Sequence, residues 1–401
     1  MNRAIVNPPA QALAEWVSEL EPSSADLALA ERALRDTVAV MHAARGHPLR
    51  PLFDQLGDAG RRAALSHVLD YDDLHVPSTT HISAICVAAA LAQPDVDAGA
   101  YLAGAGVMAR LGTALGWRHY TSGWHATCTA GAPAAAVVAA MAMGLSADQI
   151  ATAMTLAVPS AGGVQRAFGT AAKALQVGFA ADAGTRAASL AAAGATADLR
   201  AFDDWVVLLR GDPGEIDTTR VEAVPGGLAI KLYPCCYALQ RPISALVELN
   251  GQVNVDLNRV RAVKVTTPES AVKPLIHKRP RTGLEGKFSL EYAIAATLID
   301  GRPDQASFTD QAVQRAAAQR LIELVEVVPT GGGDGLLDGN VVIEIVLDTG
   351  KTLSTAMAVP PGAPARPPTD DELKHKLTAC AGQAADELAT LTWARARDFA
   401  P

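Results

Sequence analysis

The sequence predicts a mainly α-helical protein, in which an all-helical, Ala-rich domain carries a smaller α+β domain inserted before the C-terminal helix. Of the 401 residues, 49% are hydrophobic but only 4% are aromatic, so we expect a core of tightly packed helices rich in Ala, Val and Leu. β-Branched residues concentrate in residues 260–268 and 340–359, which indicates strands. Residues 370–400 return to the Ala-rich style of the first half.

We therefore divide the chain into an all-helical domain, residues 1–228, and an α+β domain, residues 229–369. Residues 370–401 are expected to return to the helical domain and to pack on it. A chain of 401 residues is long enough for two domains with separate cores.

The helical domain is predicted to contain a series of helices separated by caps and breaks. Two helices are expected within residues 10–45, with Ser24 or Asp26 as the cap of the second. A later helix breaks near Pro77 and resumes after His81. Further helices are expected at residues 97–116, 130–144, 147–158 (capped by Ser146) and 174–194. Their many small residues predict close approach of neighbouring helix backbones.

The α+β domain is predicted to pair strands with helices. The expected elements are a strand at 260–268, helices at about 287–300 and 309–326, and a hairpin that turns at Asp348-Thr349-Gly350. After a Pro-rich segment, Thr369 and Glu372 have the spacing of a capping box, which predicts the start of a last helix over 370–400.

Charge, hydropathy and cysteine content argue against several classes of protein. The formal net charge of -8 disfavours nucleic-acid binding, because phosphate contacts need a basic face.

No uninterrupted apolar run reaches the roughly 20 residues that a membrane-spanning helix needs. The N-terminal segment MNRAIVNPPAQALAEWV has no apolar stretch of signal-peptide type, so we expect a cytoplasmic protein. The five cysteines are odd in number and scattered, which predicts neither disulfides nor an iron–sulfur cluster.

Candidate catalytic residues gather in four segments. The first surrounds the predicted helix break, and irregular backbone between helices is a usual place for a site. It contains Asp70, Asp72, Asp73, His75 and His81.

The second segment, residues 117–178, begins with His119 and His125 and ends near Lys173. Residues 230–244, IKLYPCCYALQRPIS, bring Lys231, Tyr233, Cys235, Cys236, Tyr237 and Arg241 together. Residues 273–292 add Lys278, Arg279, Arg281 and Tyr292. Each segment alone also has an ordinary explanation, such as an acidic helix cap, a buried histidine, a core cysteine pair or surface lysines.

Taken together, these segments resemble the MmgE/PrpD family over nearly the whole chain. The motifs are DYDD followed by a histidine, GWHATCTAG, the lysine of GTAAKALQVGFAA, KLYPCC and KFSLEYAIAATLIDG, in this order. The family includes 2-methylcitrate dehydratase, cis-aconitate decarboxylase and iminodisuccinate epimerase. The resemblance implies an enzyme without cofactor or metal, a site between a helical and an α+β domain, and a homodimer.

By position in these motifs, the resemblance implies that Asp70, His81, His125, Lys173, Lys231 and Tyr292 are site residues. Cys236 stands where the decarboxylases carry a histidine. We therefore predict His125, Lys173, Asp70, His81, Cys236 and Tyr292 as catalytic residues, and Lys231, Arg279 and Tyr233 as substrate-binding residues, with no metal ligands.

This set suits the breaking of a C–H bond next to a carboxylate. Lys173, Lys231 and Arg279 would stabilise the negative charge that develops on the substrate. His125 is the predicted general base, because its reference pKa lies near working pH. Asp70 is expected to hold the imidazole of His81 in one tautomer or to keep it protonated as an acid.

The leading hypothesis is a lyase of the dehydratase type that acts on a small di- or tricarboxylate. Leu74 and Cys236 replace residues that the decarboxylases carry, which counts against a cis-aconitate decarboxylase. The segments CCYALQRPI and KPLIHKRPRT resemble the epimerase, so the alternative is an isomerase that inverts a carbon next to a carboxylate. A third possibility is a helical dimer whose site has lost its activity, because the region before DYDD is shorter than in other members.

Overall fold

Helices dominate the chain, and a single four-stranded sheet lies in its second half, which confirms the predicted fold class. This description comes from a computed structural model that covers residues 8–95, 97–253 and 255–401. The prediction that no signal peptide is present falls in part on residues 1–7, which lie outside the described residues. Within the covered part of the chain, no helix combines the length and hydropathy needed to span a membrane.

The first half forms the predicted helical bundle. Its helices are α1 Pro9–Ser18, α2 Ser24–Ala43, α3 Arg50–Phe53, α4 Asp58–His67, α5 Ile82–Leu91, α6 Ala98–Thr121, α7 Ala126–Ala142, α8 Ala147–Ala157, α9 Ala171–Ala192 and α10 Arg200–Leu208. The cap of α2 is Ser23, and Asp26, the third helical residue, is its partner in the capping box, so neither predicted residue, Ser24 or Asp26, is the cap itself. Ser146 caps α8 as predicted, with Gln149 completing the box.

Helices α7 and α9 pack closely at the centre of this bundle. A Cβ on Gly184 would overlap the carbonyl oxygen of Ala132 on α7, so glycine is required there for the two backbones to approach. The described part of α7 from Ala126 to Ala140 is buried throughout. The small residues therefore act as predicted, because they bring the helices that carry His125 and Lys173 next to each other.

The α+β region combines short helices with a mixed sheet. Its elements are α11 Gln240–Asn250, β1 Val260–Pro268, α12 Glu269–Val272, α13 Gly283–Gly286, α14 Leu290–Asp300, α15 Asp310–Val313, α16 Ala316–Glu323, β2 Val325–Thr330, β3 Val341–Leu347 and β4 Thr352–Met357. The strand order is β2-β1-β3-β4, with β1 and β2 parallel and the other pairs antiparallel. The predicted helix 309–326 is two short helices, α15 and α16, which are separated at Gln314 and Arg315. Strand β2, which begins after Glu323, was not predicted.

The C-terminal segment returns to the helical bundle, but as three helices. The prediction of one helix over 370–400 was wrong, since α17 Asp370–Ala381, α18 Ala385–Ala389 and α19 Trp393–Phe399 are separated by breaks, the first at Gly382 with φ +54°. Thr369 and Glu372 form the predicted capping box. The segment packs on α2, where Arg35 Nε donates to the carbonyl oxygen of Leu391 at 2.9 Å. The exact domain limits at 228 and 369 stay predictions.

Candidate active site

A small cavity of about 20 Å³ lies where the helical bundle meets the α+β region. This volume holds about one water molecule, so a ligand can enter only if the side chains that line the cavity move apart. The helical side contributes Asp70, Leu74, Thr79, His81, Tyr120, His125, Phe168 and Lys173, and the α+β side contributes Cys236, Tyr237, Phe288 and Leu336. Larger clefts lie between α2 and the C-terminal helices and outside Leu336, but neither is lined by an imidazole. The convergence of His125 and Lys173 on one cavity agrees with the sequence-based hypothesis.

Buried lysines hold the loop between α4 and α5, residues 68–81, through hydrogen bonds to its backbone. The carbonyl oxygens of residues 69–71 accept hydrogen bonds, in order, from Lys287 Nζ at 2.8 Å, Lys231 Nζ at 2.9 Å and Lys376 Nζ at 2.8 Å. Asp70 has φ +54°, a left-handed conformation that Asp tolerates better than most residues. Three amines from later parts of the chain thus fix the loop that carries the acidic motif.

Asp70 forms ion pairs with two of the predicted lysines. One carboxylate oxygen lies 2.6 Å from Lys231 Nζ, and the other lies 3.2 Å from Lys173 Nζ. Burial alone would raise the pKa of Asp70, but the two ammonium groups outweigh it and hold that pKa well below its usual range. Likewise, burial lowers the pKa of Lys231, but Asp70 reverses this and leaves it raised. Asp70 is therefore a fixed negative charge between two cations.

Asp72 orients the histidines, which corrects the prediction that Asp70 holds His81. His67 Nδ1 donates to Asp72 Oδ2 at 2.7 Å, and His81 Nδ1 lies 3.1 Å from the same oxygen, an ionic contact without full hydrogen-bond alignment. His67 Nε2 accepts a hydrogen bond from Lys173 Nζ at 2.5 Å. Because Nδ1 of His81 faces the carboxylate, its Nε2 keeps a lone pair and can accept a proton.

His125 is held in the opposite tautomer. The backbone of Val164 fixes the amide of Gln176, because Val164 N donates to its Oε1 at 3.0 Å and its Nε2 donates to Val164 O at 3.3 Å. The same amide nitrogen donates to His125 Nδ1 at 2.6 Å, and Cys128 Sγ lies 3.2 Å from that nitrogen. Since Nδ1 accepts, neutral His125 carries its proton on Nε2, an assignment that rests on the hydrogen-bond network.

Both cavity imidazoles are neutral at neutral pH. Burial lowers the pKa of His81 to about 4, although Asp72 opposes the shift. Burial, reinforced by Lys173, lowers the pKa of His125 well below its ordinary value. The ring centroids of His81 and His125 lie 4.7 and 5.6 Å from that of His67. The cavity therefore has one imidazole with a free lone pair on Nε2, that of His81, and one with a proton on Nε2, that of His125.

Four predicted site residues do not line the cavity. Lys231, predicted to bind substrate, is fully buried and pairs with Asp70 instead. Tyr292 is buried in the core of the α+β region, where its hydroxyl donates to the carbonyl oxygen of Ser307. Tyr233 is buried beneath the guanidinium of Arg302, 5.0 Å from the ring centroid. Arg279 is on the surface, with a side chain 70% exposed and an ion pair to Glu323 at 3.1 Å. These positions correct the assignment of Tyr292, Tyr233 and Arg279 to the site.

Cys236 does line the cavity, at 7% exposure. Burial raises the pKa of its thiol to about 12, with Asp70 adding to the shift. The group is therefore a neutral thiol at working pH, which can donate a proton but is a poor nucleophile.

Sequence reasoning missed His67, Lys287 and the role of Asp72, and it left Tyr237 unassigned. His67 ends α4 three residues before Asp70, and this proximity was the available signal. Lys287 is the first residue of the KFSLEY motif, and the sequence alone indicates a surface lysine there. The hydroxyl of Tyr237 is buried with no hydrogen-bond partner among the described residues, and its ring lines the cavity.

His67, Asp72 and His81 are close enough to one another to be considered as metal ligands. However, both imidazoles already direct Nδ1 to Asp72, and Lys173 occupies Nε2 of His67. Both nitrogens of His67 and one oxygen of Asp72 are thus engaged, and Lys173 places a positive charge beside the group, an arrangement that suits a proton-transfer network better than a metal centre.

Comparisons with known proteins cover most of the chain. The model of the MmgE/PrpD N-terminal domain matches residues 52–205, and that of the MmgE/PrpD C-terminal domain matches residues 233–395. The chain is 26% identical to a cis-aconitate decarboxylase from Aspergillus terreus, over 93% of this chain and 83% of the relative. It is 24% identical to a cis-aconitate decarboxylase-like protein from Aspergillus oryzae, over 91% of this chain and 88% of the relative.

Proposed function

The chain belongs to the MmgE/PrpD family, and on that premise we propose that it is a cofactor-independent lyase of the dehydratase type. The substrate is a small polycarboxylate with a hydroxyl group on the carbon next to the one that loses its proton. One observation carries the proposal: a proton-accepting imidazole, His81, and a proton-donating imidazole, His125, line the same cavity as the ammonium of Lys173. Elimination of water needs a base and an acid together, whereas loss of CO₂ needs no base.

In the proposed reaction, Nε2 of His81 removes the proton from the carbon next to a carboxylate. The electron pair of that C–H bond is first held as a carbanion delocalised into the carboxylate. It then forms the double bond as the C–O bond to the neighbouring hydroxyl breaks, and Nε2 of His125 supplies the proton with which the hydroxyl leaves as water. His81 ends as an imidazolium and His125 as an imidazolate, and loss of one proton from His81 to solvent and gain of one from solvent by His125 restore both.

Lys173 would stabilise the negative charge that builds up on the substrate carboxylate. Its Nζ is held by Asp70 at 3.2 Å and by His67 at 2.5 Å, and it lies over the rings of Phe168 and Phe288, 5.4 and 5.3 Å from their centroids. A cation fixed in advance in a water-poor cavity stabilises developing charge without reorganising during the reaction. Lys231 supports this arrangement indirectly, through Asp70.

Two other outcomes of the same chemistry each have a supporting observation. The relatives from Aspergillus are named as decarboxylases, which favours loss of CO₂ followed by protonation of the carbanion. Cys236 lines the cavity as a neutral thiol, which favours an epimerase, in which a second group returns a proton to the opposite face. A homodimer and a cytoplasmic location stay predictions.

Incubation in D₂O with hydroxylated di- and tricarboxylates, and in parallel with cis-aconitate and with amino-dicarboxylates, separates these reactions. A dehydratase forms an ultraviolet-absorbing alkene in step with substrate loss and releases no CO₂. A decarboxylase releases CO₂ in step with substrate loss, and an epimerase washes deuterium into recovered, inverted substrate without forming alkene. Alkene formation that disappears in His81→Gln supports the proposal, and either of the other two patterns contradicts it.

A further inference from the structure

The cavity has a charged end and an apolar end. At the charged end lie Asp70, Lys173, His81 and His125. At the other end, Leu74, Tyr120, Tyr237 and Leu336 pack in one hydrophobic cluster, and Leu74 and Leu336 are only 2% and 3% exposed. Leu336 comes from the loop between β2 and β3 and also lines the outer cleft, so it separates the cavity from that cleft. A ligand that fills the cavity must therefore place part of its surface against aliphatic and aromatic side chains.

The charges around the cavity are nearly balanced before any ligand binds. Three buried amines, Lys173, Lys231 and Lys287, face two buried carboxylates, Asp70 and Asp72. Lys173 is the one cation among the described residues that line the cavity. Lys231 is engaged by Asp70, and Lys287 donates to the carbonyl oxygens of residues 69 and 234.

This balance limits how many substrate carboxylates the cavity can accept. One carboxylate is compensated by Lys173, and a second can use the neutral donors His125 Nε2 and the unpaired hydroxyl of Tyr237. Every carboxylate after the first is a buried negative charge without a cation, and a third would also lack neutral donors at a site that ends in leucine, so its burial is the most costly. Arg279, the further cation predicted from the sequence, lies on the surface.

We propose that the substrate is a small carboxylate with one or two carboxyl groups and an apolar substituent that packs against Leu74 and Leu336. This inference rests on the proposed function for the reaction at the charged end, but it concerns binding alone. It separates this chain from a tricarboxylate enzyme, although its relatives are named for cis-aconitate. Leu336 and Leu74 are then specificity-determining residues.

Inert malonates test the inference without any turnover. The dissociation constants of malonate, methylmalonate, ethylmalonate and propylmalonate are measured by calorimetry, together with that of propane-1,2,3-tricarboxylate. Each methylene that becomes buried should tighten binding about four-fold, until the cavity is full. The tricarboxylate should bind more weakly than propylmalonate. The inference is overturned if affinity stays constant or decreases from malonate to propylmalonate. It is also overturned if the tricarboxylate binds more tightly than every malonate.

Leu336→Ser tests the side chain that forms the apolar end, and Leu337→Ser is its matched control. Leu337 is the next residue of the same loop; it packs against the outer side of the same hydrophobic cluster and lines the outer cleft, but it does not line the cavity. We expect Leu336→Ser to reduce the gain per methylene to less than two-fold and Leu337→Ser to leave it unchanged. Thermal unfolding without ligand checks that both variants fold. Equal loss in both variants, or no loss in Leu336→Ser, contradicts the assignment.

A failure of the inferred substrate class can be told apart from a failure of the proposed reaction. If the malonate series rises but no carboxylate is dehydrated, the substrate class holds and the reaction is wrong. If a tricarboxylate is dehydrated while the malonate series is flat, the reaction holds and the substrate class is wrong.

Discussion

The helical bundle and the α+β region contribute different kinds of group to the same cavity. The bundle supplies every side chain that we propose to move a proton or to stabilise charge directly, namely His81, His125 and Lys173. The α+β region supplies Tyr237 and Leu336 as cavity wall, and it supplies Lys231 and Lys287 as supports of the acidic loop. The difference suggests that reaction type is set by the bundle and that substrate choice is set largely by the α+β region.

Removing the proposed base on the helical side should have the largest effect. His81→Gln keeps a polar side chain of similar size but cannot take a proton, so we expect kcat to fall by about 10²- to 10⁴-fold. Steady-state kinetics on a substrate identified by screening would measure it. The control is His119→Gln, because His119 is a buried histidine of the same bundle that bonds Leu209 O and Thr129 and does not line the cavity. A similar loss in both variants would remove the special role of His81.

Removing a lysine of the α+β region that supports the acidic loop should lower the free energy of unfolding. We expect this loss to be seen before any change in the reaction itself. Lys231→Met leaves the buried carboxylate of Asp70 without its 2.6 Å partner, and breaking a buried ion pair costs about 3–5 kcal/mol. Urea unfolding measures this loss. Adding Asp70→Asn removes the unpaired charge, so the double variant should regain part of the stability. No regain would show that the Lys231 hydrogen bond to the loop backbone, not the ion pair, provides the stabilisation.

Acid should destabilise the helical bundle selectively. Burial lowers the pKa of His47, His75, His81 and His119 to about 4, below the 6.5 of an unfolded chain. The unfolded state therefore binds more protons, and stability should fall as pH drops from about 6.5 towards 4. Asp73, whose pKa burial raises to about 7, and Asp36, whose pKa burial also raises, act in the opposite direction, but they are fewer than the histidines.

Each of the buried histidines should lower the free energy of unfolding by about 2 kcal/mol between pH 7 and pH 5, the partly exposed His47 by less, and Asp73 should return about 2 kcal/mol, so we expect a net loss on the order of 4 kcal/mol. Hydrogen exchange followed by mass spectrometry at the two pH values would locate it. Protection should decrease in α4–α7 before it decreases in β1, β3 and β4. Earlier loss of protection in the sheet would contradict the assignment of the acid-sensitive groups to the bundle.

The smallest effect is expected for Arg279→Ala in the α+β region. The side chain is 70% exposed, and its ion pair with Glu323 is of the surface kind that contributes at most about 1 kcal/mol. We expect unchanged kcat and KM, and a change in the free energy of unfolding of less than about 1 kcal/mol. A rise in KM of ten-fold or more would return Arg279 to the list of substrate contacts.

Local signals allowed much of the fold to be predicted from the sequence. The capping boxes at Ser146 and Thr369 and the hairpin turn at residues 348–350 depend on neighbouring residues, and they lie where the sequence placed them. Strand β2 depends on parallel pairing with the distant β1, a contact that its own six residues do not reveal. The breaks in the C-terminal helix escaped prediction because Ala-rich composition continues through Gly382.

The segments that form the candidate site could be predicted from the sequence. The contacts between individual atoms of those segments were harder to predict. Asp70 and Asp72 are two positions apart in one motif, and only the left-handed conformation of Asp70 decides which of them faces the imidazoles and which faces the lysines. The tautomer of His125 depends on Gln176, which is 51 residues away. A motif fixes residue types and their order, but hydrogen-bond partners from distant segments set the direction in which a proton can move.

The central claim is that His81 takes the proton and His125 donates one. The most direct measurement is deuterium uptake from D₂O at the carbon next to the carboxylate, made on His125→Gln and His81→Gln with the same substrate. We predict that His125→Gln still exchanges this hydrogen but expels no hydroxyl, whereas His81→Gln does neither. Exchange that persists in His81→Gln and is lost in His125→Gln would contradict the account.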